Sequence, residues 1–242
     1  MRRRYNRQLP RKKNLSVVAW LIIISSVISI LAFIATFITS TSEARSLLAL
    51  NLSPLVDSIA LKPSNILQGQ FLWTLLTHMF AHGNIFHLLI NMFVLFSLGG
   101  LSEKIIGRKR FLWFYIISGL FAGLLSVLLS GFFGNTELGA RIFGSPDIFM
   151  VGASGAIFAI AGIYVMLLPK LKFMIIFLPF FSLPAYVMIP GMLFVMWALS
   201  IIGNWPIGNV AHFGGFIAGI VYGLYLKRKY RRKVQHLQHM FR

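Results

Sequence analysis

The sequence predicts an all-α, polytopic membrane protein, a bundle of six transmembrane helices, and three observations carry that expectation. First, 57% of its 242 residues are hydrophobic and only 12% are charged, roughly half the charged fraction of a soluble domain. The mean hydropathy is +0.80. Second, runs such as 15–39 and 111–129 exceed the ~18 apolar residues that mark a bilayer-spanning helix. Third, the basic residues segregate. With the N-terminus placed in the cytoplasm, only Arg45, Lys62 and Arg141 of the 23 Lys and Arg residues fall outside, the asymmetry of the positive-inside rule.

Taken in order, residues 1–14 hold seven Lys/Arg and read as a basic cytoplasmic tail. The apolar stretch that follows is longer than the ~7–15 residues of a signal-peptide core, so 15–39 is expected to remain as the first span. Residues 40–83 form a long, apolar outer loop broken by Pro54, Pro63 and Gly69, expected to lie in the interface with Trp73 at headgroup level. Further spans follow at 84–101, 111–131, 152–168, 184–203 and 207–226. The stretch Phe173 to Pro184 is apolar but interrupted by Pro179 and Pro184, and is expected to be a re-entrant or tilted lead-in to the fifth span. One helical domain thus occupies 15–226, and a second basic cytoplasmic tail occupies 227–242.

The net charge of +18 does not point to nucleic acid. Fourteen of its cations sit in the two tails, where they set topology and attract anionic headgroups. No stacking platform or soluble module accompanies them. Membrane lipids are therefore an expected partner. With no cysteine there is no thiol nucleophile, disulfide or thiolate-bound metal. No internal repeat suggests an inverted-repeat transporter.

An ionisable or polar side chain inside a membrane is costly and marks a functional site by default. His87 and Asn91 in the second span, Ser154 in the fourth and His212 in the sixth all fall in the first turns of spans that run inward. At 1.5 Å per residue they share a level within ~10 Å of the outer surface. His87 and Asn91 are spaced i, i+4 and share one helix face, which suits two donors stabilising an oxyanion and equally suits interhelical hydrogen bonding. A serine hydroxyl needs an adjacent base, and His212 is the one histidine in the region of the fourth to sixth spans. Gly215, Gly219 and Gly223 recur every four residues opposite the small residues of V-G-A-S-G-A-I-F-A-I-A-G (151–162), so two backbones can approach closely and bring Ser154 to His212. The five carboxylates lie in loops or, for Glu103, at the inner end. A Ser-His dyad is expected, with Asp147 left open as a third member and Phe158 positioned to stack on the imidazole. The Ser154 amide, at a helix N-terminus, is a further oxyanion donor. A metal site from His78, His82 and His87 is conceivable but has no carboxylate or H-E-x-x-H pattern.

The ordered set G-Q-F-L-W-T-L-L-T-H-M-F-A-H, H-L-L-I-N, G-A-S-G and A-H-F-G-G-F-I-A-G resembles the rhomboid family of intramembrane serine proteases over residues 49–226. The resemblance implies a six-helix core and hydrolysis of peptide bonds in or near the transmembrane segments of membrane-protein substrates, without a cofactor. It implies Ser154 as nucleophile, His212 as general base, and His87, Asn91 and the Ser154 amide as oxyanion donors. It also implies a multi-pass protein of a prokaryotic plasma membrane, with both termini cytoplasmic and the active site toward the outer face. The chain departs from the family in having no Trp-Arg pair in its first loop, and Phe158 where Tyr is common. The alternative reading is a catalytically silent rhomboid-like protein that binds transmembrane helices. A small transporter or channel would spread its polar residues across the full membrane depth.

Overall fold

The computed structural model describes residues 15–40, 58–175, 178–203 and 208–241. The N-terminal basic tail and the loop residues 41–57, with Glu43, Arg45, Pro54 and Asp57, lie outside the described residues. The chain is mostly helical. Five helices are long and apolar enough to cross a membrane: α1 (Val17–Ser40), α4 (Ile85–Ile106), α5 (Arg108–Phe133), α8 (Ala185–Gly203) and α9 (Asn209–Lys229). A sixth apolar helix, α7 (Ser154–Leu167), has only 14 residues. Short helices α2 (Pro63–Leu67), α3 (Thr74–Thr77) and α6 (Glu137–Phe143) lie between them, and α10 (Arg231–Met240) follows α9.

α7 is the axis of the bundle. Every residue from Gly155 to Tyr164 is buried, whereas α1, α4, α5 and α8 expose large apolar side chains such as Phe37, Phe96, Trp113 and Phe194. Lipid tails are as apolar as these side chains, so helix association rests on close packing and hydrogen bonding rather than on removal of apolar surface from water. Both are visible. A Cβ on Gly215 would fall 1.9 Å from the Gly155 carbonyl oxygen, and one on Gly219 2.0 Å from that of Ala159. α7 and α9 therefore touch backbone to backbone. On α5, Gly119 makes room for Met79 and Gly123 for His78, while Ser118, Ser126 and Ser130 return their hydroxyls to carbonyls four residues earlier, as hydroxyls in an apolar medium require.

α4 contains a π-helical turn over Leu95–Gly99. Such turns loosen the i→i−4 ladder, and the Leu98 carbonyl accepts the Tyr164 hydroxyl at 2.6 Å, tying α4 to α7. Near the end of α4 the buried Glu103 carboxylate accepts the Val17 and Val18 amides, both at 3.0 Å. It thereby supplies the first turn of α1 with acceptors for its orphan N–H groups. Arg108 pairs with Glu103 and also donates to the Leu15 carbonyl.

The segment expected as a re-entrant or tilted lead-in is instead a β-hairpin: β1 (Lys172–Ile175) pairs antiparallel with β2 (Leu178–Pro184). Pro179 and Pro184 deny that stretch a helix, and Phe173 packs edge-on against Tyr164 with ring centroids 5.7 Å apart. It is the one sheet among the described residues, and an isolated antiparallel bridge joins Leu61 to Met150. The hairpin leads into α8, whose Ala185 amide donates to the Leu171 carbonyl. The last segment is not a free tail either. α10 buries Val234 against the bundle, and its His236 and His239 are exposed. In the segment before α4, Trp73 is exposed and donates its indole N–H to the Ser58 carbonyl.

Candidate active site

Three helix starts meet at one end of the bundle. Ser154 is the first residue of α7, His212 the fourth of α9 and His87 the third of α4. The Ser154 Oγ lies 2.8 Å from His212 Nε2, within the range of a strong hydrogen bond. The imidazole is held by the Phe158 ring, one turn along α7, with centroids 4.7 Å apart and planes 35° apart. Its Nδ1 is buried and has no protein hydrogen-bond partner. Asp147 does not fill that position. Its carboxylate accepts the Ser64 hydroxyl and pairs with Lys62 at 3.4 Å, with the side chain 71% exposed. The pair is a dyad.

The turn that presents Ser154 is built by two loop histidines. Gly152 has φ +131°, a conformation that L side chains rarely adopt. Its amide donates to the His78 carbonyl at 2.8 Å, and the Ala153 amide donates to His82 Nε2 at 3.4 Å. With Nε2 accepting, the ring proton is assigned to Nδ1, which donates to Ser29 Oγ at 3.0 Å, and the Ser29 hydroxyl donates on to the Phe80 carbonyl. Burial, and then the neighbouring His87, lower the His82 pKa to about 3, so it works as a neutral bracket. His78 donates Nδ1–H to the Thr74 carbonyl at 2.8 Å, and burial lowers its pKa to about 4. Sequence reasoning considered His78 and His82 only as metal ligands and missed Ser29. Among the described residues no group of three or more His, Cys, Asp or Glu is arranged to hold a metal.

His87 is fixed by Asn84, the N-cap of α4, whose side chain accepts the His87 amide at 2.9 Å. The ring reaches over Gly152: a Cβ there would lie 3.0 Å from His87 Nε2 and 3.6 Å from Ser154 Oγ. Gly152 thus leaves the space between imidazole and hydroxyl open. The long 3.5 Å approach of the Gly83 amide to His87 Nδ1 favours a proton on Nε2, the nitrogen facing that space. Asn91 is buried and donates one amide hydrogen to the His87 carbonyl at 2.9 Å; its amide has a second hydrogen to give. The first i→i−4 bond of α7 runs from the Ile157 amide to the Ala153 carbonyl, so the amides of Ser154, Gly155 and Ala156 precede the ladder and carry the positive end of the helix dipole.

The family description "Rhomboid domain" matches residues 69–229. Rhomboid protease GlpG of Haemophilus influenzae is 29% identical over 161 residues, which are 64% of this chain and 70% of the relative. RHOMBOID-like protein 5 of Arabidopsis thaliana is 28% identical over 230 residues, 86% of this chain and 68% of the relative. The human mitochondrial presenilin-associated rhomboid-like protein is 30% identical over 146 residues, and the match spans only 36% of that relative's length. The matched residues take in α4 through α9, and with them Ser154, His212, His87 and Asn91: the chain is a multi-pass membrane protein of the rhomboid family.

Proposed function

We propose that the protein is an intramembrane serine endopeptidase acting on transmembrane segments of other membrane proteins, with no cofactor. The observation that carries this reading is the 2.8 Å contact between Ser154 Oγ and His212 Nε2, inside a bundle where a polar pair is costly unless used. The Ser154 hydroxyl gives its proton to His212 Nε2 as Oγ attacks the scissile carbonyl carbon. The carbonyl π-electrons move onto oxygen, and that oxyanion is met by His87 Nε2–H, the second Asn91 amide hydrogen and the first-turn amides of α7. Imidazolium then protonates the leaving nitrogen as the C–N bond breaks, leaving an acyl-serine. Water, losing a proton to His212, hydrolyses that ester and restores Ser154.

α7 serves as a sixth span in this reading. Its 14 residues reach about 21 Å at 1.5 Å each, short of the ~30 Å hydrocarbon layer. With its far end near the basic face, Ser154 is recessed about 9 Å below the opposite surface, deep enough to meet a transmembrane segment and shallow enough for water. In this reading the basic face is cytoplasmic, as the positive-inside rule supports, with the dyad toward the outer side of a prokaryotic plasma membrane and both termini inside.

The test is fluorophosphonate labelling and cleavage of a single-span test substrate by wild type, Ser154→Ala and His212→Ala in detergent. Both variants are expected to keep the wild-type melting temperature and lose cleavage, and Ser154→Ala to lose labelling. Wild-type protein that neither labels nor cleaves supports the silent, helix-binding alternative. Cleavage that survives in Ser154→Ala refutes the mechanism.

A further inference from the structure

At the end of the bundle opposite Ser154, three cations converge on one aromatic ring. Arg110 Cζ, Lys229 Nζ and Lys233 Nζ lie 5.9, 5.8 and 6.0 Å from the Tyr230 ring centroid. They come from three elements: the start of α5, the end of α9 and the first turn of α10. The ring attracts each cation, but the cations repel one another, and none of the described carboxylates offsets them. The described carboxylates are engaged elsewhere, Glu103 with Arg108, Glu137 with Arg141 and Asp147 with Lys62. Lys229 Nζ donates one hydrogen to the Tyr225 hydroxyl at 2.7 Å and has two more to give. A cluster held this way calls for an anion.

An apolar groove adjoins it. Val221, Leu224 and Tyr225, on one face of α9 with Arg228 and Lys229 at its rim, line an open surface depression. Val221 is 61% exposed, so this wall faces lipid rather than another helix. The cations sit where α4, α5, α9 and α10 end or begin, the level of the headgroups, and the groove runs from them toward the membrane interior.

We propose that the Arg110, Lys229 and Lys233 cluster around Tyr230 binds the phosphate of an anionic phospholipid whose acyl chains lie in the groove on α9. Arg110 offers its planar fork to two phosphate oxygens, and the two lysines contribute point charges. Tyr230 spaces them. The apolar groove is what distinguishes this ligand from a nucleic-acid backbone, which has nothing to place there. This inference does not depend on proteolysis.

Native mass spectrometry of the full chain in the Ser154→Ala background tests it, counting phosphatidylglycerol and phosphatidylcholine retained from equimolar mixed micelles. Wild-type sequence at the cluster is expected to retain phosphatidylglycerol preferentially. The triple variant Arg110→Gln, Lys229→Gln, Lys233→Gln is expected to lower that preference about 10²-fold, at roughly five-fold per cation. A charge-matched control, Lys104→Gln, Lys170→Gln, Lys172→Gln, alters exposed basic residues elsewhere and is expected to keep the preference. The melting temperature in phosphatidylcholine alone checks folding. Should the triple variant melt early, Lys233→Gln alone is expected to show the single-cation, roughly five-fold loss. The proposal is overturned by equal retention of the two lipids in the parent protein, by equal losses in the two triple variants, or by displacement of phosphatidylglycerol with a DNA duplex at matched phosphate concentration.

Discussion

Replacing Gly215 by alanine adds a single methyl group, and the packing of α7 on α9 fixes what that methyl does. Its carbon would start 1.9 Å from the Gly155 carbonyl oxygen and 2.8 Å from the Gly155 carbonyl carbon, whereas real Cβ contacts essentially never fall below 3.0 Å. Both obstacles are backbone, so no rotamer relieves them. The helices must separate or slide by on the order of 1 Å. Gly155 is the neighbour of Ser154, and Gly215 lies one turn from His212. A shift of that size carried to the dyad takes the 2.8 Å Ser154–His212 separation to nearly 4 Å, beyond hydrogen bonding. Misplacement by ~1 Å costs about 10²-fold in rate, near 2.7 kcal/mol of barrier. Gly223→Ala is the control. Its methyl would meet Met166, 2.6 Å from Cβ and 3.0 Å from Cγ, two turns farther along α9, so the displacement it forces is centred away from Ser154. The assay is the second-order rate of fluorophosphonate labelling, with cleavage of the test substrate alongside and melting temperature as a check on folding. Gly215→Ala labelling at more than a third of the wild-type rate would refute the argument that backbone contact holds the dyad together.

Further outcomes follow from the same geometry. Glu103→Ala removes the carboxylate that receives two α1 amides and leaves those donors without it, a loss of about 1–3 kcal/mol, while the half-exposed Arg108 turns to solvent. Thermal melts in detergent should show the drop, with a smaller one for Glu103→Gln. Asn91→Ala is expected to lower turnover about 10²-fold, the usual effect of losing one oxyanion donor, with little change in melting temperature. Unchanged turnover removes Asn91 from that role. His82 has its pKa lowered from 6.5 to about 3 by burial, so the unfolded chain binds a proton that the folded one refuses. The stability from its neutral form is complete above pH 6.5 and falls by up to ~1.4 kcal/mol per pH unit as pH drops toward 3. His82→Asn should flatten the dependence of melting temperature on pH between 6.5 and 4, and a slope equal to wild type would exclude it.

The residues that meet at the site were readable because a membrane span is a poor place for a polar group. Ser154, His87, Asn91 and His212 stood out against apolar helices, and a common depth followed from topology alone. The α7–α9 seam was readable for a related reason, since runs of small residues have one physical use between helices. What hydropathy could not distinguish was how an apolar stretch folds. Phe173 to Pro184 is as apolar as a span, and only pairing with its own other half reveals the hairpin. The shortness of α7 was hidden as well, because Leu168 continues the apolar run and still donates its amide to the Tyr164 carbonyl, while its own backbone (φ −133°, ψ 57°) leaves the helix. α10 looked like a tail because its charged face dominates its composition, although Val234 and Leu237 pack on the bundle. The link from Ser29 through His82 to the Ala153 amide joins three segments far apart in sequence. Its one local sign was the buried Ser25 and Ser29 pair, four apart on one face of α1.

That link has a consequence for where the working unit begins. The family match starts at residue 69, yet α1 ends well before it and supplies Ser29 to the loop that presents Ser154. α1 is in turn moored at its first turn by Glu103, from within the matched region. The helix is a strut fastened at its start and again at its middle, and the turn that presents Ser154 leans on it. A fragment cut at the boundary of sequence similarity would keep each chemically named residue and lose the beam that holds them in register.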